Sequence, residues 1–269
     1  SGFQDEIQQR VIGVNTHVLV LKYGTDFREY EQITAKVKEH PQVVAAAPFV
    51  FNEMLIAKEG GGTAGVLVKG IDIKRGGQVI DLEKRLLPGP GGQKPTIGQL
   101  VLDQAPAGGG PPLPGVFVGR ELGRRLKVKV GDRLRLVAPL LGMDGAIVEE
   151  AGVGSVPPPR SLEVRVSGVF SAGFDEYDRR LVYVDLGHAQ QLAGQGDVVT
   201  GVEMILREAD RARRVAKDLD GSLGGAPYRL LDWEELNHNL FTALALQKAV
   251  LGLVLFLKIG RASCRERVS

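Results

Sequence analysis

Short runs of alternating apolar and polar residues recur along the chain and predict β-strands, and apolar residues at helical spacing mark segments between them. Strands are predicted over residues 18–21, 43–57, 66–71, 161–170, 181–184, 201–206 and 228–231. Helices are predicted over residues 26–40, 119–126 and 210–219, and a further helix begins at a cap on Asp185 and ends before Gly194. Residues 127–137 alternate on both sides of Gly131-Asp132, which predicts two strands joined by a turn. Pro48 is expected at a bend or a sheet edge.

The order of these elements predicts an α+β fold. A β-α-β unit at each end of the chain brackets a β-rich middle. We therefore expect one discontinuous α+β subdomain from residues 15–73 and 200–235, and an inserted β-rich subdomain from residues 74–199. Two irregular stretches rich in proline and glycine, 88–115 and 138–160, interrupt the insert.

The two ends of the sequence differ from the part between them. Residues 249–257 are nine uncharged and mostly large apolar residues. A membrane span needs about 20 such residues, so 236–257 is predicted to be the start of a transmembrane helix. A buried C-terminal helix is the alternative. Residues 1–14 are expected to adjoin an earlier span, and residues 258–269 resemble a translated sequencing adapter and are left out of the fold prediction.

Composition excludes several classes of protein. The chain has 269 residues, of which 43% are hydrophobic and 25% charged, as expected for a folded protein of one or two domains. The formal net charge of +2 becomes −1 without the last twelve residues, which excludes a strongly basic nucleic-acid-binding protein. Cys264, the one cysteine, lies in that tail, so neither a disulfide nor a thiolate metal site is expected.

The sequence contains no recognisable set of catalytic residues. Gly60, Gly62 and Gly65 have the spacing of a dinucleotide-binding motif, but a strand follows them where a helix is needed, which predicts a hairpin turn. Pro95 directly follows Lys94, so the glycine-rich segment before it is no phosphate-binding loop. The four histidines are far apart, which argues against a zinc site. No catalytic residue, cofactor or metal is predicted, and an enzyme is the least expected class.

The insertion 138–160 is the strongest candidate for a functional segment. It connects two predicted strands and should therefore project from them. Apolar residues outside regular structure favour a partner-binding surface, and a proline run stiffens its base. Packing against its own domain is the alternative. The candidate partner-binding residues are Leu140, Leu141, Met143, Ile147, Val148, Pro157, Pro158 and Pro159.

The ordered set of short motifs in this chain resembles the lipoprotein-releasing permease subunits LolC and LolE, within the wider group of MacB- and FtsX-type permeases. The resemblance covers about residues 1–257. Its most specific parts are Glu176-Tyr177-Asp178 and the run from Trp233 to Leu244. Its weaker parts are Ala47-Pro48-Phe49, Val68-Lys69-Gly70-Ile71-Asp72, Gly119-Arg120-Glu121-Leu122, Lys129-Val130-Gly131-Asp132 and Gly168-Val169-Phe170.

The resemblance implies a multi-pass ABC transporter permease in the inner membrane of a Gram-negative bacterium. This region would be its periplasmic domain, a MacB-like core with a porter-like part and an inserted β-rich part. The implied partners are a LolD-type ATPase subunit that hydrolyses ATP, a second permease subunit in a homo- or heterodimer, a periplasmic LolA-type carrier, and lipoprotein substrates. Residues 139–160 occupy the place of the hairpin that hooks the carrier in LolC-type subunits. A LolE-type contact with the lipoprotein, a MacB-like efflux permease and a freestanding soluble binding domain remain alternatives.

Overall fold

The structure is a computed structural model and describes residues 16–24, 26–102, 111–138, 160–173, 175–233 and 235. The strands are β1 (Val18–Lys22), β2 (Val43–Lys58), β3 (Thr63–Ile71), β4 (Gly115–Gly119), β5 (Arg133–Val137), β6 (Ser161–Phe170), β7 (Leu181–Asp185), β8 (Gly201–Leu206) and β9 (Tyr228–Asp232). The α-helices are α1 (Tyr30–Lys38), α2 (Gly76–Val79), α3 (Leu82–Arg85), α4 (Arg120–Leu126), α5 (Asp175–Arg180), α6 (Leu186–Ala193) and α7 (Ala212–Leu223). Short 3₁₀ turns occupy Ile97–Leu100 and Ala209–Arg211.

Strands from the two ends of the chain form an open sheet. Its order is β9-β1-β8-β2, with every pair antiparallel. Helices α1 and α7 cover one face of this sheet. The stripe predicted for the last helix is confirmed, because its four apolar residues are buried against the sheet: Ala212, Val215, Ala216 and Leu219.

The other strands close into a six-stranded barrel. Strand β2 pairs with β3, β3 with β7, β7 with β4, β4 with β6, β6 with β5, and β5 again with β2. Alternate residues of each strand point inward, as the period of a strand requires, and the inward ones are apolar. They include Met54, Val66, Val118, Leu136, Val166 and Val182, all fully or almost fully buried.

Strand β2 belongs to both the open sheet and the barrel, and it runs unbroken through Pro48. Pairing with β8 ends at Phe49↔Gly201, and pairing with β3 begins at Phe49↔Ile71. The Phe49 carbonyl accepts from the Thr200 amide, so the nitrogen of Pro48 faces the other side, where no partner strand has yet begun. A proline at this position therefore removes no hydrogen bond between strands of the sheet.

Residues 76–100 cover part of the outer surface of the barrel. They contribute Val79, Leu82, Leu86 and Leu100 to a second buried cluster with Phe117, Phe170 and Tyr183. The mixed α+β architecture is confirmed. The division at residues 73/74 and 199/200 remains a prediction, since β2 and β3 hydrogen-bond to strands on both sides of it.

Two sequence-based predictions of local structure are wrong. Helix α1 begins at Tyr30 and not at residue 26, because Phe27 is buried as part of a loop whose carbonyl accepts from Val199. Residues 127–132 are no strand, because the Val128 and Gly131 amides donate to Gly123 and Val166. Strand β4 and helices α2, α3 and α5 were not predicted. None of the helices in the described residues is long and apolar enough to cross a lipid bilayer.

Candidate functional site

The predicted partner-binding residues of the 138–160 insertion lie outside the described residues, but the base of the insertion is described. Strands β5 and β6 are antiparallel, with Val137 opposite Ser161. One step further out, the Ala138 amide donates to the Arg160 carbonyl at 2.9 Å. Residues 139–159 therefore leave and re-enter the barrel at neighbouring positions of one hairpin.

Arg160 attaches this base to the end of helix α6. Its Nη1 donates to the Ala193 carbonyl at 3.3 Å, and its guanidinium lies over Gly194. Gly194 ends α6 in the left-handed region, with φ of 67°. Glycine is favoured there by this conformation, and a Cβ at Gly194 would also displace the Arg160 guanidinium from its present position.

Exposed apolar side chains lie on the barrel surface beside the same base. Leu55 is opposite Val137 across the β2–β5 pair and is 44% exposed. Phe51, four residues earlier and on the same face of β2, is 37% exposed. Between them Glu53 forms an exposed ion pair with Arg180 at 2.9 Å. This strip of β2 is apolar surface that the described residues leave accessible.

The structure places the Glu176-Tyr177-Asp178 motif on helix α5, and the three side chains differ in burial. Glu176 is exposed, Tyr177 packs against the second cluster, and Asp178 is fully buried. Burial raises the pKa of Asp178, whose carboxylate accepts from the Ala172 amide at 2.7 Å and the Ser171 hydroxyl at 3.1 Å. Asp178 thus fixes the turn from β6 into α5.

The described residues contain no cluster of His, Cys, Asp or Glu that could hold a metal ion. His17 and His40 instead serve local structure. The Leu206 amide donates to Nδ1 of His17 at 2.9 Å, and the Gln42 amide donates to Nδ1 of His40 at 3.2 Å. Gly60 and Gly62 lie in the turn between antiparallel β2 and β3, as predicted, whereas Gly65 lies in β3 opposite Leu55, and no helix follows them.

A buried ion pair that was not predicted lies where the open sheet meets the barrel. Lys69 on β3 donates to Glu203 on β8 at 2.6 Å, across the intervening strand β2. Glu203 is 1% exposed, and the Lys69 ammonium lies 5.3 Å from the centre of the Phe49 ring. Burial raises the pKa of Glu203 and Lys69 opposes that rise. The signal in the sequence is a glutamate between two buried residues of a short strand.

The first and last described strands lie side by side at one end of the open sheet. The Trp233 amide donates to the His17 carbonyl at 3.0 Å. The Trp233 indole donates to the Ala209 carbonyl at 3.2 Å. The segments before residue 16 and after residue 235 are therefore attached at the same end of the sheet.

Comparison with curated proteins finds relatives along almost the whole chain. The "Lipoprotein-releasing system transmembrane protein LolC" of Xylella fastidiosa strain Temecula1 is 32% identical over 260 residues, which cover 97% of this chain and 56% of that protein. The LolC protein of Neisseria meningitidis serogroup B is 25% identical over 266 residues, covering 98% and 57%. The chain thus spans somewhat more than half the length of these relatives. No family model matches it.

Comparison with solved structures identifies the fold. The periplasmic region of MacB from Actinobacillus actinomycetemcomitans superposes with a TM-score of 0.50, covering 87% of this chain and 97% of that one, at 9% identity. Because sequence identity is so low, this likeness concerns the fold alone. Together the two comparisons confirm the resemblance: the chain is a homologue of the LolC lipoprotein-releasing proteins and has the fold of the MacB periplasmic region.

Proposed function

We propose that this chain is the periplasmic part of a permease subunit of an ABC transporter that releases lipoproteins from the inner membrane. The observation that carries the proposal is the similarity to LolC proteins over 97% of the chain. In this role the domain is non-catalytic, and a LolD-type ATPase subunit supplies the energy. A second permease subunit, identical or different, completes the transporter in the membrane.

The arrangement of the chain ends supports attachment to a membrane. Residues 16 and 235 bound the described part, and His17 and Trp233 are hydrogen-bonded to each other. Two membrane-spanning segments, one before residue 15 and one within 236–257, would hold the domain by one end of its open sheet. The rest of the domain would then extend into the periplasm.

The 138–160 insertion is the proposed contact with a LolA-type carrier. Its base is a hydrogen-bonded hairpin, which suits a projecting arm that adds to a partner's surface. The apolar strip of Phe51 and Leu55 lies beside that base and would extend the contact. The contacting residues would be Leu140, Leu141, Met143, Ile147 and Val148, with Pro157, Pro158 and Pro159 stiffening the arm.

Two measurements test the proposal. The full-length protein, expressed in cells depleted of their own LolC-type subunit, should restore growth and delivery of lipoproteins to the outer membrane. The 269-residue chain should bind the carrier, and Leu140→Asp, Met143→Asp or Val148→Asp should weaken that binding without lowering the thermal midpoint. Lipoproteins that stay in the inner membrane would contradict the transport role. Unchanged carrier binding by these variants would contradict the role of the insertion.

A MacB-like permease that couples ATP hydrolysis to an efflux partner is the second candidate. It shares with this chain the fold of the MacB periplasmic region and no more than the fold. Such a permease would fail to restore lipoprotein delivery, and loss of the insertion would leave its activity unchanged. The same complementation experiment therefore separates the two candidates.

A further inference from the structure

Basic residues are concentrated at one end of the barrel. Residues 120–135 contain seven arginines or lysines and two acidic residues, whereas the whole chain has a formal net charge of +2. We call the exposed members of this group the basic cap: Arg124, Arg125, Lys127, Lys129, Arg133 and Arg135.

The backbone under the basic cap is held in place by specific contacts. The Lys58 ammonium donates to the Lys127 carbonyl at 2.7 Å and to the Asp132 carboxylate at 2.7 Å. The Leu126 side chain lies against Gly62 in the β2–β3 turn. The end of α4, the β2–β3 turn and the start of β5 therefore form one fixed surface.

Most acidic side chains in and beside the basic cap already form ion pairs. Glu121 pairs with Arg124 at 2.8 Å, Asp132 pairs with Lys58, and Glu163 pairs with Arg135 at 3.0 Å. Glu59 is exposed at the edge. Within the described residues Arg125, Lys127 and Lys129 form no ion pair, so the surface keeps a positive charge.

A backbone outlier lies in the middle of the basic cap. Lys127 ends α4 with φ of 52°, in the left-handed region where a helix end usually has glycine. The other described residues with positive φ are glycines. A side chain is disfavoured there by contact of its Cβ with the backbone. The local backbone conformation therefore favours glycine at 127, and lysine there adds a cation to the surface despite that preference.

The basic cap lies far from residues 16 and 235, which bound the described part of the chain. Strand β2 leads to it from Val43, which pairs with Leu206 close to His17, and its sixteen residues span about 50 Å. That distance is several times the screening length of about 8 Å at physiological salt. If the chain ends adjoin a membrane, as the proposed function requires, the basic cap faces away from that membrane.

We propose that the basic cap docks an acidic face of a protein partner on the side of the domain remote from the chain ends. Complementary charge at such a contact raises the association rate and fixes orientation, while exposed pairs keep the affinity low enough for release. A groove of about 280 Å³ in this region is lined by Lys58, Arg133 and Arg135 but also by the carboxylates of Glu59 and Glu163, so the proposed docking face is the wider basic cap and not this groove alone. This inference rests on the proposed function only for the statement that the basic cap faces away from the membrane.

The test uses the 269-residue chain and a fluorescent oligoglutamate peptide, with anisotropy measured against salt concentration. The cap variant is Arg124→Gln, Arg125→Gln, Lys129→Gln. The matched control is Arg213→Gln, Arg214→Gln, Lys217→Gln, which removes the same charge from the exposed face of α7. We expect the cap variant to bind about tenfold more weakly and the control to bind as the unaltered chain does. Equal weakening in both variants, or no binding by the unaltered chain, would overturn the proposal.

Two further measurements test the role of Lys127 and the chemical class of the partner. Lys127→Gly should weaken peptide binding while the thermal midpoint stays the same or rises, and unchanged binding would overturn the role of the lysine. Phosphatidylglycerol vesicles that bind through the cap, when the peptide does not, would assign the cap to a lipid surface and overturn the protein partner. In the complementation experiment, a cap variant that delivers lipoproteins as well as the unaltered protein overturns only this inference. Failure of the unaltered protein there overturns only the proposed function.

Discussion

A single buried carboxylate, that of Glu203, ties the strands on both sides of β2 together. Its one described ion-pair partner, Lys69, is opposite Phe51 in the β2–β3 register, and the Lys69 ammonium lies beside the Phe49 ring where it meets Glu203. The pair therefore connects the open sheet to the barrel at the point where β2 passes from one to the other.

Lys69→Met should destabilise the fold by about 3–5 kcal/mol, because it leaves the buried Glu203 without its counter-ion. The double variant Lys69→Met, Glu203→Met should lie within about 1 kcal/mol of the unaltered protein, because no buried charge remains. Urea unfolding measures the free energy of unfolding of both variants. As a control, Arg135→Met breaks an exposed pair and should cost less than about 1 kcal/mol. A double variant as unstable as the single one would contradict this account.

The stability contributed by His17 should depend on pH. Burial lowers the pKa of His17 in the folded state, and its Nδ1 accepts from the Leu206 amide. The unfolded chain takes up the proton first, near pH 6.5, so this contribution is present above pH 6.5 and is lost as pH falls below it. In His17→Asn the amide oxygen keeps the acceptor without titrating. The free energy of unfolding of the unaltered protein should fall relative to that of the variant between pH 7 and 5.5, and parallel curves would contradict the prediction.

At the scale of elements, sequence patterns predicted the long and regular segments and failed where tertiary contacts decide. The buried stripe of α7 and the Asp185 cap, which accepts from the Gly187 amide, follow from local spacing. The alternation in residues 127–132 is equally regular, yet distant partners such as Val166 take the backbone hydrogen bonds. Strand β4 has only five residues, and its pairing with β6 and β7 is visible only once the chain has folded.

The candidate site, too, could be predicted only where a local sequence pattern marks it. Composition alone singled out the 138–160 insertion, since its apolar and proline residues stand apart from their surroundings. The local pattern marks Glu203 as a charge between two apolar strand residues, but its pairing with Lys69 depends on the register of three strands. Arg160 over Gly194 joins positions 34 residues apart for the same reason.

Asp178→Ala should destabilise the β6–α5 turn by about 1–3 kcal/mol, because the buried Ala172 amide would lose its acceptor. Glu176→Ala, in the same motif and on the exposed side of the helix, is the matched control and should change stability by less than about 0.5 kcal/mol. Thermal unfolding of both variants is the measurement. Similar midpoints for the two would mean that the motif does not act through the turn.

At the scale of the whole molecule, β2 organises the domain. Its first half belongs to the open sheet that carries both chain ends, and its second half belongs to the barrel that carries the insertion and the basic cap. Strand β2 and the Lys69–Glu203 pair beside it connect the open sheet to the barrel, together with contacts such as the Glu31–Arg75 ion pair between α1 and the segment after β3. The proposed partner contacts therefore lie on the barrel and not on the open sheet that holds His17 and Trp233.

Deletion of residues 142–156 should leave this architecture intact, because its strands close without the insertion. The hairpin of β5 and β6 keeps Val137 opposite Ser161 and the Ala138–Arg160 hydrogen bond, and the barrel interior takes its apolar residues from the strands themselves. Shortening the connection lowers the entropy cost of closing it, so the free energy of unfolding should change by less than about 1 kcal/mol. Urea unfolding tests this, with carrier binding measured on the same sample. A folded variant that no longer binds the carrier would assign the loss to the insertion, whereas a variant that unfolds would show that residues 142–156 belong to the core of the domain.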